Sequence, residues 1–212
     1  MFDFKSMILS LLLSLPGLLL ALTVHEFAHG YAALKMGDHT AEYSGRLSLN
    51  PLHHLDIIGT LCLLVFHFGW AKPVPINPNN FRNPKKGIIV VSLAGPFANF
   101  LLALVFGFVL GAMEAFAPVN EVTRFLYTVV DICVTLNVGL MVFNLIPVPP
   151  LDGSKVLLEF LPYRARYFAY RYERYIGLIF LALLYFGILS PVLGFLSSYV
   201  FRFIDLLVGL VF

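Results

Sequence analysis

Four stretches of this chain stay apolar for longer than a soluble helix or strand requires: about Met7 to Ala33, Ile88 to Met113, Val122 to Ile146 and Tyr175 to Leu193. A bilayer span takes roughly 20 mostly apolar residues, and in hydrocarbon every backbone N–H and C=O must be bonded within its own segment. Each stretch therefore reads as a spanning helix. The composition agrees, since 59% of residues are hydrophobic and 12% charged, against about a quarter charged in soluble domains. The expected fold class is an all-α polytopic membrane protein with about four to six transmembrane helices. The tail from Phe195 to Phe212, interrupted by Arg202 and Asp205, either spans or lies at the interface. A single membrane-embedded domain is expected over residues 1–212.

Between the first two full spans lies a long connection from Leu34 to Gly87, with a brief apolar insert at Ile57 to Trp70. Thr40 to Leu49 has the Thr, Tyr and Leu content and the turn-type flanks of a short β-hairpin. Ala71 to Asn77 (AKPVPIN) has prolines at 73 and 75, which forbid helix and favour extended backbone. Lys72, Arg82, Lys85 and Lys86 lie before one span, and Lys155, Arg164, Arg166, Arg171 and Arg174 follow the next. Two spans separate these loops, so they share a side, and their positive charge makes it cytoplasmic. The tyrosines between the arginines, Tyr163 to Tyr175, suit an anchor at the headgroups. A net charge of +2 gives no reason to invoke nucleic acid. Cys62 and Cys133 lack any metal or disulfide spacing and read as packing residues.

The first span carries His25-Glu26-Phe27-Ala28-His29. Histidines at i and i+4 project from one helical face about 6 Å apart along the axis, which suits two imidazoles on one zinc ion. The glutamate between them can hold a water on that metal as general base and return the proton to a leaving amine. At this chain's own His and Glu frequencies the pattern arises by chance in roughly one chain in two hundred. A carboxylate inside a span is costly, which makes it a functional candidate by default. A catalytic zinc usually takes three protein ligands. The candidates for the third are Asp131, Asp152, Asp56, His54 and the remaining histidines. Asp152 is favoured because the prolines of Asn144-Leu-Ile-Pro-Val-Pro-Pro-Leu-Asp152-Gly153 stop the helix and allow a carboxylate to turn inward. Asp131, deeper in its helix, is the rival. It is also expected to bond between helices, with Asn137 as one partner.

With these motifs the sequence resembles the site-2 proteases, intramembrane zinc metallopeptidases with HExxH on one helix and an NxxPxPxxDG-type motif on another. The likeness covers most of residues 20–160, and the helices of 175–212 follow it. It rests on His25 to His29, on Ala94-Gly95-Pro96-Phe97-Ala98-Asn99, on Asn144 to Gly153, on Asn50-Pro51 leading to His54 and Asp56, and on Gly69 to Pro75. The last two resemble compact prokaryotic members. The resemblance implies one zinc ion per chain held by His25, His29 and Asp152. It makes Glu26 the base, Asn144 a group that polarises the scissile carbonyl, and Asn99 a neighbour packed near the site. Ser154 stands where many members have a second glycine. The substrate implied is a transmembrane segment of another membrane protein, cleaved in the cell membrane of a prokaryote.

If His29 and Asp152 share a metal, both helix ends face the cytoplasm and the N-terminus lies outside. Ile57 to Trp70 then cannot be a complete span and reads as re-entrant or interfacial. His54 is a candidate for the second shell or the substrate side. AKPVPIN is a candidate edge on which an unwound substrate adds as a strand. The competing reading is a catalytically silent zinc-binding scaffold of the same fold, which needs the ligands but no Glu26.

Overall fold

The computed structural model describes residues 4–56, 59 and 71–212, with side chains described from Leu12 onward. The chain forms α1 (Phe4–Met36), a single turn α2 (Thr40–Tyr43), α3 (Pro84–Phe116), α4 (Glu121–Leu145), α5 (Asp152–Leu158), α6 (Tyr163–Tyr185) and α7 (Ser190–Val208). Four of these are long and apolar enough to cross a membrane: Leu12–Met36 of α1, then α3, α4 and α7. The fold is thus all-α and multi-pass. The expected re-entrant insert at Ile57 to Trp70 lies, apart from Gly59, outside the described residues.

The starts of α3 and α4 are set by asparagines that satisfy otherwise orphaned N–H groups. Asn83 accepts from Lys86 N–H at 3.1 Å, with Pro84 at the first position of α3. Asn120 and Thr123 close a reciprocal capping box on α4. α3 is the central helix, packed most extensively on α4 and α1. Hydrocarbon offers no hydrophobic drive between spans, so close approach at small residues has to hold them. Accordingly Gly107 and Gly111 of α3 face Ile204 and Val208 of α7, and Gly17 of α1 faces Cys133 of α4. Ala103, Val134, Val138, Val142 and Ile204 form the buried core between α3, α4 and α7.

Two sequence expectations are corrected. Thr40 to Leu49 is not a hairpin, because Thr40–Tyr43 is helical. Among the described residues, extended pairing is limited to one antiparallel bridge between Leu55 and Ala71. The cause is Asp38, whose buried carboxylate accepts from the Thr40 N–H and hydroxyl and also from Asn77 N–H at 2.7 Å and the Asn80 amide at 2.8 Å. That clasp turns the chain into a helical start just after α1, and Gly45 at φ +62° ends it. The second correction concerns Tyr175 to Leu193, which is not one span. α6 stops at Tyr185, Gly187 takes φ +71°, and Pro191 lies in the first turn of α7, so the span is Ser190–Val208. Apolarity continues across this break, so it leaves no mark on hydropathy.

Candidate metal centre

Helical spacing stacks His25 and His29 on one face of α1, where both are buried. Gly95 of α3 lies against them: a Cβ there would come 2.5 Å from His29 Nε2 and 2.6 Å from His25 Cε1. Glycine is what admits the α3 backbone to this distance. Asp152 arrives from α5, which begins after the proline-rich turn that stops α4. The α5 start is tucked under the end of α4, since a side chain at Gly153 would collide with the Leu145 carbonyl. Ser154 Oγ donates to Leu151 C=O at 2.6 Å and steadies the turn.

Three ligand atoms converge. His25 Nε2 and His29 Nε2 are 3.0 Å apart, and Asp152 Oδ2 lies 3.2 Å from the first and 3.0 Å from the second. The protons can be assigned from the far side of each ring. His29 Nδ1 faces the Val91 carbonyl at 2.7 Å, which only accepts, so Nδ1 carries the proton and donates it. For His25 the assignment runs back to two carbonyls. Asn137 Nδ2 donates to Cys133 C=O at 2.8 Å, which turns its Oδ1 toward Asn99. Asn99 Nδ2 donates to that oxygen at 2.9 Å and to Ala21 C=O at 3.1 Å. Asn99 Oδ1 is thereby left to accept from His25 Nδ1 at 2.6 Å. With both protons on Nδ1, both Nε2 atoms present lone pairs to each other and to a carboxylate oxygen. One added proton could relieve a single pair of the three. A cation relieves all of them. Tetrahedral zinc with bonds of about 2.0–2.1 Å sets ligand atoms about 3.3 Å apart, close to the separations seen. His25, His29 and Asp152 form the metal-capable group of His, Cys, Asp and Glu found among the described residues.

Glu26 is on the same helix, and its Oε2 accepts from Val74 N–H at 2.9 Å. Residues 71–77 form no helix and lie beside the centre, with Arg46 Nη2 donating to Lys72 C=O at 2.7 Å. A cavity of about 490 Å³ opens onto the ligands and is lined by Glu26, Val74, Ile76, Asn144, Lys155 and Tyr170, among others. Asn144 thus reaches the cavity from the last turn of α4, with one amide N–H on Leu140 C=O at 3.0 Å.

His54 is not brought to the centre. Its buried ring donates from Nε2 to Ser48 C=O at 2.7 Å, and its carbonyl accepts from Lys72 N–H, so it ties the 48–54 loop to the segment that begins at Ala71. Asp56 holds Gly59 N–H at 2.7 Å. Asp131 is exposed on α4, and Asn137 bonds to Asn99 and not to it. Sequence reasoning missed four contributors to the centre: the side chains of Asn137 and Lys155 and the backbone groups of Val91 and Val74. An asparagine amid the apolar residues of α4 is a signal that could have found Asn137. Backbone groups carry no such signal.

The description Peptidase family M50 belongs to a family profile that matches residues 120–187. Among curated proteins, YwhC of Bacillus subtilis is 41% identical over 170 residues, which is 78% of this chain and 77% of that protein. Rip2 of Mycolicibacterium smegmatis is 36% identical over 153 residues, covering 69% of this chain and 56% of Rip2. MJ0611 of Methanocaldococcus jannaschii is 34% identical over 138 residues, 63% of this chain and 62% of that protein. All three carry the name of a zinc metalloprotease. No solved structure matches the chain.

Proposed function

The chain belongs to peptidase family M50, and from that premise we propose that it is a zinc-dependent intramembrane endopeptidase of the HExxH type. The observation that carries the reading is the convergence of His25 Nε2, His29 Nε2 and Asp152 Oδ2 with both ring protons pinned on the far side. A cation satisfies all three atoms at once, whereas one added proton leaves at least one opposed pair.

When bound there, zinc supplies Lewis acidity to the scissile carbonyl and to the attacking water. The protein's own groups do the rest. His25, His29 and Asp152 are the ligands, and Asn99 and the Val91 carbonyl fix the ring orientations. Glu26 takes a proton from the water as its oxygen bonds to the carbonyl carbon. It then returns a proton to the nitrogen as the C–N bond breaks. Val74 N–H holds one oxygen of Glu26, so the other is aimed at the water. Asn144 has a second amide N–H committed to no neighbour among the described residues, and it donates to the oxygen on which charge develops.

The substrate is a transmembrane segment of another protein. Its helical carbonyls are bonded internally, so it has to unwind before attack, and the non-helical run 71–77 provides a surface along the cavity for the unwound strand. Because Lys and Arg crowd the loops at the Asp152 end of α4, the centre opens toward the cytoplasmic side of a prokaryotic cell membrane.

The test is cleavage of a panel of single-span substrates by purified wild type and Glu26→Gln, each with its zinc measured. Zinc retained in both with cleavage only by the wild type is the expected result. A wild type that holds stoichiometric zinc yet cleaves no better than Glu26→Gln sinks the protease reading and favours a zinc-binding scaffold.

A further inference from the structure

The two oxygens of Asp152 have different neighbours. Oδ2 faces both imidazole Nε2 atoms, whereas Oδ1 accepts from Lys155 Nζ at 2.9 Å. Lys155 lies three residues on in α5, one helical turn above Asp152, which is the spacing that lets the two side chains meet. Asp152 is buried, with 7% of its side chain exposed, while the Lys155 side chain is 51% exposed at the cavity wall. A half-exposed ion pair of this kind contributes little to stability, so its value to the fold is small. Its geometry, however, bears on the metal. A carboxylate can bind a cation through one oxygen or two, and the backbone at Gly153 and Ser154 is too confined to make that choice by moving.

We propose that Lys155 is a positioning residue that keeps Asp152 a one-oxygen ligand by engaging Oδ1. Two-oxygen binding would add a ligand atom, raise the coordination number above four and crowd the position that a catalytic zinc keeps for water or the substrate carbonyl. The ammonium also takes up part of the carboxylate's negative charge, which leaves the cation more electron-poor and a stronger Lewis acid. The i,i+3 relationship was not drawn from the sequence because a lysine in the first turn after a metal motif reads as a solvated charge.

This inference rests on the metal-centre reading above, and its test separates the two. Wild type, Lys155→Met and Lys155→Arg are loaded with Co²⁺, whose visible bands are intense in four-coordinate sites and weaker at higher coordination. Zn²⁺ affinity is measured in parallel by competition with a chromophoric chelator. The expected result is a several-fold loss of absorbance per cobalt in Lys155→Met, with the wild-type spectrum regained in Lys155→Arg. In the zinc-loaded enzymes kcat falls about tenfold or more in Lys155→Met, while KM stays within about twofold. An unchanged cobalt spectrum in Lys155→Met overturns the positioning role. So does a raised KM with unchanged kcat, which would make Lys155 a substrate-binding group. A wild type that takes up neither ion overturns the metal-centre reading itself, independently of Lys155.

Discussion

Asn99 of α3 accepts the Nδ1 proton of His25 of α1 at 2.6 Å, and its own amide is held by Asn137 of α4. Three spanning helices thus meet in one buried chain of hydrogen bonds behind the metal-facing nitrogen. Replacing Asn99 by Ala frees the His25 ring to rotate and to change tautomer. Zinc affinity, measured by chelator competition, is expected to fall roughly 10- to 100-fold. Asn137→Ala should lower it less, since Ala21 C=O still holds the Asn99 amide.

Gly95→Ala puts a methyl group where the two imidazoles now lie. Backbone and rings cannot both stay, so zinc stoichiometry in the purified variant is expected to drop to near zero. Gly139, also in a span but with open space around it, is the control: Gly139→Ala should keep full zinc.

Val74 acts on Glu26 through its backbone alone. Val74→Ala should therefore keep activity within about threefold. Val74→Pro removes the N–H and lets the base drift, which is expected to lower kcat on the order of 10²-fold. Zinc content should be unchanged in both, which separates loss of the base from loss of the metal.

Asp38 provides a pH-dependent prediction. Burial pushes its carboxyl up, but the Thr40 hydroxyl, the Asn77 N–H, the Asn80 amide and the Thr40 N–H outweigh that and hold it below the usual carboxylate value. A depressed folded value means the stabilisation is complete above the unfolded carboxylate range, about pH 3.9, and is lost as pH falls through the folded value. Hydrogen exchange at the amides of Thr40 and Asn77, corrected for intrinsic rate, should be flat from pH 8 to 5 and loosen below pH 4. Asp38→Ala should loosen both at every pH, by about 1–2 kcal/mol, because it removes the acceptor that these part-buried donors share.

What the sequence revealed and what it hid divide along physical lines. The spans were legible because hydrocarbon demands long apolar helices, and His25, Glu26 and His29 because helical spacing fixes which side chains share a face. α2 was not legible: its four residues are organised by Asp38 acting with Asn77 and Asn80, partners some forty positions away, and local propensity carries no trace of them. The end of α6 was hidden for the opposite reason, since Gly187 turns the chain within residues that remain apolar on both sides. His54 and Asp56 share a polar turn with the look of a ligand pair, yet they bond to nearby backbone. Burial and donor count decided their place, and neither is written in residue type.

His29 and Asp152 are separated by 123 residues, and His25 and Asp152 by 127, yet their ligand atoms meet where one cation would be held by all three. An ion in that position is a cross-link as well as a reagent. Tying the ends of so long a loop removes on the order of 4–5 kcal/mol of chain entropy from an unfolded state when the tie is covalent, and a tightly held metal acts in the same direction. Without it α1 and α5 lose their common anchor, and the three opposed lone pairs push them apart. In a cell short of zinc, quality-control proteases would meet this protein as a loosened chain, so the supply of the ion would govern how many copies the membrane keeps.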